Sequence, residues 1–122
     1  MGKYVDGFVL VVPSDKTEQY KKMAALGRDM WMKHGALDYY ECRGDDLGQQ
    51  DMGGEKTRAF DEMAGAKEGD TVWFSFIVFE SKEHRDEINA KVIGEMGQQK
   101  QEPMPFDMKR MAYGGFAVEV EG

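Results

Sequence analysis

Nine residues near the middle of the chain, Thr71 to Phe79 (TVWFSFIVF), constrain its fold most. β-Branched and aromatic residues fill the run, and such residues suit a pleated, half-buried backbone. Successive side chains of a strand point to opposite faces. Val72, Phe74, Phe76 and Val78 therefore share one face, while Trp73, Ile77 and Phe79 share the other. Both faces are apolar, so both need cover. The opening segment Lys3–Val12 (KYVDGFVLVV) has the same character, with Phe8, Leu10 and Val12 opposed to Val9 and Val11. Two such strands belong at the centre of a sheet.

The connections complete the pattern. Pro13 stops the first strand. Ser14 and Asp15 are N-cap residues, and Glu18 follows Asp15 by three, as in a capping box. A helix is predicted from there to about Lys33, with Tyr20, Met23, Ala24, Gly27, Met30 and Trp31 as its apolar stripe. Gly35 reads as its C-cap glycine. Ala36–Gly44 reads as a second strand. Leu47–Gly54 (LGQQDMGG) is polar and glycine-rich and reads as a flexible excursion, followed by a short helix around Arg58–Met63. Ser81 should cap a second long helix reaching about Met96, with Ile88, Val92, Ile93 and Met96 inward. Gly97–Glu102 is a polar connector. Pro103 and Pro105 stiffen the approach to a fourth strand, Lys109–Val120, in which Gly114-Gly115 suggest a bulge.

The order strand, helix, strand, strand, helix, strand predicts an α+β, ferredoxin-like β-α-β-β-α-β fold with a four-stranded antiparallel sheet. In that arrangement the first and third strands are central, in the order 4-1-3-2, and both helices cover one face. The other face then presents large aromatic side chains to water, which usually marks an interface. The Leu47–Ala66 excursion is too polar to serve as a lid. A homodimer packed sheet on sheet is therefore expected.

Composition narrows the function classes. At 122 residues the chain is one domain, 1–122. It carries 16 Lys and Arg against 23 Asp and Glu, a net charge of −7. Phosphate-rich partners and anionic membrane surfaces are disfavoured at that balance, so RNA binding is the weakest reading. The single cysteine precludes an intramolecular disulfide. The longest apolar run, Phe8–Val12, is far too short to span a membrane, and no secretory signal pattern opens the chain. The expectation is a cytoplasmic protein. No GxSxG, HExxH, GxGxxG or EF-hand pattern is present, and the glycines at Gly48 and Gly53 are followed by Gly54-Glu55, unlike a phosphate loop. No cofactor and no metal is expected.

Several side chains can carry chemistry. His34 with Glu41 is the candidate catalytic pair, an imidazole oriented by a carboxylate. With Asp45 the two could hold a divalent ion. The plain alternative is a histidine whose charge complements the end of the first helix. Tyr39, Trp73 and Tyr113 are candidate walls of a ligand pocket. Arg85 and Asn89, four apart on the second helix, either bind an anionic ligand or pin that helix in place. In the Met104-Pro105-Phe106-Asp107 loop, Asp107, Lys109 and Arg110 either surround a carboxylate or phosphate or form a strand-entry turn capped by Asp107. Cys42 lies mid-strand and reads as a buried structural thiol.

Four segments together resemble one family: KYVDGFVLVVP, HGALDYYECRGDD, SKEHRDEINAKV and MPFDMKRMAYGGF. The chain is similar to domain-of-unknown-function family 1428, small bacterial proteins assigned to the dimeric α+β barrels. The resemblance implies a barrel-forming dimer and no particular activity. The wider superfamily includes cofactor-free monooxygenases, small isomerases, haem enzymes and ligand sensors, so carrying one over would rest on fold alone. The chain departs from the family at Arg43, where a large aromatic is usual. It also departs in the inserted Gly48–Gly54, and in Thr57-Arg58-Ala59-Phe60, where the family runs Thr-Asp-Phe. The functional expectation is a homodimeric barrel binding an apolar or aromatic small molecule, with cofactor-free monooxygenase or isomerase chemistry. The alternative is a non-catalytic protein-interaction or stress-related module.

Overall fold

A computed structural model describes residues 2–98 and 103–122. Its elements are β1 (Tyr4–Pro13), α1 (Thr17–Lys33), β2 (Asp38–Arg43), β3 (Asp51–Met52), β4 (Glu55–Lys56), α2 (Phe60–Ala64), β5 (Asp70–Phe79), α3 (Lys82–Met96) and β6 (Ala112–Ala117). The fold is α+β. Four strands form one antiparallel sheet in the order β2-β5-β1-β6, with the two apolar ten-residue strands in the middle.

Register fixes which side chains share a face. Leu10 lies opposite Trp73, Phe8 opposite Ser75, and Asp6 opposite Ile77. Tyr39 and Glu41 of β2 lie opposite Ile77 and Ser75, and Tyr113 of β6 lies opposite Phe8. Both long helices lie on this face. Tyr20 and Ala24 of α1 pack with Leu10, Val12, Trp73 and Phe106. Ile88 and Val92 of α3 pack with Ile77 and Phe79. The second face carries Val5, Val9, Phe74 and Phe76, extended by Tyr40 on β2 and Phe116 on β6.

Local signals shape the ends of the elements. A 3-10 turn, Ser14–Lys16, leads into α1, and the expected Ser14/Asp15 capping box does not form; instead the Thr17 hydroxyl donates to the Ser14 carbonyl at 2.8 Å. α1 ends as expected at Gly35, whose φ of +111° suits a glycine. The Ala36 N–H reaches the Trp31 carbonyl and the Gly35 N–H the Met32 carbonyl, a Schellman closure. Ser81 caps α3, its hydroxyl accepting from the His84 N–H at 3.1 Å.

Four expectations need correction. The Leu47–Gly54 excursion contains a hairpin, β3–β4, turned by Gly53 and Gly54 at φ of +73° and +99°. Positive φ at both central residues is what a two-residue hairpin turn requires. The following segment is not remote from the sheet: α2 packs against β1, and Val11 and Val72 at that end of the second face are buried. Gly114 and Gly115 form no bulge and pair in register with Gly7 and Asp6; the Phe116 ring lies across Gly7 and Gly114. On α3, Ile93 is 68% exposed and Met96 is also exposed, so the inward stripe is only Ile88 and Val92. Residues 99–102 of the expected Gly97–Glu102 connector lie outside the described residues.

Candidate functional site

Glu41 is the centre of the strongest polar cluster that faces a groove. The β2 backbone aims it to the helix-covered side, beside Ser75 of the neighbouring strand. Tyr20 from α1 donates to Glu41 Oε1 at 2.7 Å, and the Ser75 hydroxyl donates to the same oxygen. Tyr39 donates to Oε2 at 2.6 Å. Burial first, and the Glu41 carboxylate next, push the phenols of Tyr20 and Tyr39 well above their ordinary range. Both phenols are therefore donors at any physiological pH. A carboxylate offers about four acceptor positions, and three hydroxyls leave one open.

The groove lies between α1 and the β2 edge and is an open cleft of about 600 Å³. Ala24, Tyr39 and Trp73 supply its apolar walls, and Lys21, Arg28 and Arg43 its cationic ones. Trp73 is held by a tilted ring contact with Tyr20, with centroids 4.8 Å apart, and by its indole N–H donating to Thr71 Oγ1 at 3.1 Å. An apolar floor with one basic oxygen and fixed donors suits a small organic ligand.

A second cluster sits beneath α3. Asp6 is only 1% exposed. It accepts from Arg85 Nη1 at 2.6 Å, from Tyr113 at 3.1 Å and from Asn89 Nδ2 at 3.2 Å. The Asn89 carbonyl oxygen in turn accepts from the Trp31 indole at 2.9 Å. The Arg85 guanidinium also lies 4.8 Å over the Tyr4 ring. Burial opposes the charge of Arg85, but hydrogen bonds to Asp86 and Asp6 outweigh it and hold the cation firmly. Every partner in this cluster is filled from within the chain, as expected of a network that fastens a helix to a sheet.

The expected site residues thus occupy separate places. Glu41, Tyr39 and Trp73 meet at the groove. His34 does not join them: its Nε2 pairs with Glu95 Oε2 at 2.5 Å at the far ends of α1 and α3. Arg85, Asn89 and Tyr113 belong to the Asp6 cluster. Asp107 caps the turn Met108–Arg110, accepting from the Lys109 N–H at 2.9 Å. Lys109 is exposed, and Arg110 pairs with Asp70 at 2.7 Å and donates to the Gly65 carbonyl. Cys42 is exposed on the second face, which corrects its reading as a buried thiol. Among the described residues, His34, Glu41 and Asp45 do not gather as a metal-ligand group. The residues missed at the groove are Tyr20, Ser75, Lys21, Arg28 and Arg43.

With the geometry in view, comparison with known proteins places the chain. The family described as "Protein of unknown function (DUF1428)" matches residues 3–108. The chain belongs to this family. It is also 42% identical over 115 residues to a relative from Escherichia coli (strain K12) called "Uncharacterized protein YbaA", covering 93% of this chain and 94% of that one. The relative of the same name from Shigella flexneri matches to the same extent. Among the described residues, no helix of this family member is long and apolar enough to cross a membrane.

Proposed function

We propose that this protein is a cytoplasmic homodimer that binds an apolar or aromatic small molecule in the α1–β2 groove, with Glu41 as its acid–base group. The observation that carries this reading is the Glu41 carboxylate, which three hydroxyls hold beside the Trp73 ring with one acceptor position open. His34 has no part in this reading, because its partner is Glu95.

The chemistry that suits the arrangement is proton abstraction next to a carbonyl, the first step of an isomerisation and of cofactor-free oxidation of an acidic arene. Glu41 takes a proton from carbon: the C–H bond breaks, an O–H bond forms, and the electron pair moves to the carbonyl oxygen as an enolate. Once protonated, Glu41 has less demand for donors, and the Tyr39 phenol can turn to the oxygen that gained charge. A base held in place contributes about 10²–10⁴-fold to such a step.

The chain order around the sheet supports a ferredoxin-like assignment, and the bare second face supports pairing of two copies into an α+β barrel. One exposed thiol, Cys42, suits a reducing compartment. The same face favours a second reading, a protein-interaction module without catalysis, since Phe74 at 45% exposure and Phe116 at 61% are docking side chains in either case.

Deuterium incorporation tests the catalytic reading. 2-Tetralone, a flat aromatic ketone, is incubated in D₂O with the protein and followed by NMR. Exchange roughly 100-fold above buffer, lost in Glu41→Gln, is the expected result. Equal rates with the wild type and Glu41→Gln would rule out Glu41 as the base.

A further inference from the structure

The walls of the groove reverse the sign of the molecule. The chain carries a net charge of −7, yet the groove is lined by three cationic side chains, Lys21, Arg28 and Arg43, against the single carboxylate of Glu41. That carboxylate is already engaged by three hydroxyls. Lys21 has only a loose contact with Glu18 at 3.7 Å, and Arg28 pairs with its exposed chain neighbour Asp29 at 3.0 Å. Arg43 makes no ion pair among the described residues.

Their spacing spreads the cations along the groove. Tyr39, Glu41 and Arg43 alternate onto one face of β2, so Arg43 stands about 7 Å along the strand from Glu41. Lys21 and Arg28 are seven residues apart on the same side of α1, about 10 Å. Between them lie Ala24 and Ala25, short side chains that leave room above the Trp73 ring. A ligand can thus lay a flat body on the apolar floor near Glu41 while an anionic end reaches the rim. An anion placed at the Arg43 end gains a guanidinium, which offers paired donors to a carboxylate, and stays clear of the like charge on Glu41.

We infer that the groove selects an anionic compound, a flat apolar body bearing a carboxylate, and that Arg43 is the chief residue that sets this preference. The inference rests on the groove being the ligand site. Its substrate class is then an aromatic or alicyclic carboxylate with an acidic C–H or O–H about one ring away from the anion.

The test compares 2-naphthoate with its neutral counterpart 2-naphthamide, titrated into ¹⁵N-labelled full-length protein. The expected result is perturbation at Tyr39, Glu41 and Trp73 by both, with naphthoate bound at least tenfold more tightly. That preference should shrink at high salt, because exposed charges are screened. It should fall to about twofold in Arg43→Gln, an exposed edge position, and fall in part in Arg28→Gln. Equal binding of the two probes at the groove would overturn the anion preference and leave the groove reading standing. A preference that survives in both variants would overturn the role of the arginines. Perturbation by neither probe at the groove would overturn both readings together.

Discussion

Glu41 shows how much a single side chain gains from its neighbours. On an isolated edge strand it would be a solvated carboxylate. Here α1 brings Tyr20, the central strand brings Ser75, and Tyr39 comes from the same strand two residues earlier. The negative charge also acts back on the phenols, adding to the effect of burial on both. Tyr113 is likewise held above the ordinary value by burial and by Asp6. Three of the five tyrosines should therefore stay protonated beyond pH 10 while the chain stays folded. A spectrophotometric titration checks this. In Glu41→Gln the charge is gone, so Tyr20 and Tyr39 should ionise at lower pH than in the wild type. An unchanged titration curve would contradict the hub. Part of this is legible in the sequence, which points to Glu41, Tyr39 and Trp73 but pairs Glu41 with His34. Proximity in sequence misleads there, since a helix C-terminus and a β2 side chain seven residues apart face different elements. Ser75 and Asp6 carried a readable signal. Each is a polar residue in the inward stripe of a central strand, among Trp73, Ile77 and Phe79 or Phe8, Leu10 and Val12. A polar group in such a stripe needs a partner.

At the scale of elements, period alone separated helices from strands but not their inward faces. α3 shows why. Ile88 and Val92 are buried, yet Ile93 stands in water, because Asn89 and Arg85 take the adjoining inward places to reach Asp6. Polar anchoring displaced the apolar residue that the stripe implied. Ile88→Ala should cost about 2–5 kcal/mol of stability, as for other large-to-small changes in a packed core. Ile93→Ala should stay within about 0.5 kcal/mol. Urea unfolding of the two variants distinguishes the observed face from the one expected, and equal losses would contradict it. The β3–β4 hairpin escaped notice for a different reason. Its strands are two residues long and exposed, so no alternation exists to read, and only the Gly53-Gly54 pair marked a turn. The glycines of β6 suggest a bulge because nothing in one strand reveals the Phe116 ring lying across Gly7 of its neighbour.

At the scale of the whole molecule, the described residues cover one face of the sheet and leave the other largely bare. The apolar character of both central strands showed in the sequence, and that is why the sheet could be anticipated with β1 and β5 needing cover on both sides. The structure adds that α2 packs against β1 and that Val11 and Val72 are buried. The rest displays Tyr40, Phe74, Phe76 and Phe116, with Tyr40 and Phe76 rings 5.1 Å apart and Phe74 and Phe76 rings 5.6 Å apart. At ordinary strand spacing the sheet is about 20 Å across and as long, a face on the order of 400 Å². An apolar patch of that size often marks an interaction surface. A second copy offers a surface of matching shape and chemistry, since two apolar sheets pack about 10 Å apart with their side chains interleaved. Glu41 and Trp73, at the proposed groove, lie on the other side of the sheet. Sedimentation equilibrium of the wild type at micromolar concentration tests this account most directly. It predicts a particle of twice the 13.9 kDa chain mass, and a shift to single chains in Phe74→Lys. A wild-type chain that sediments at 13.9 kDa would contradict it.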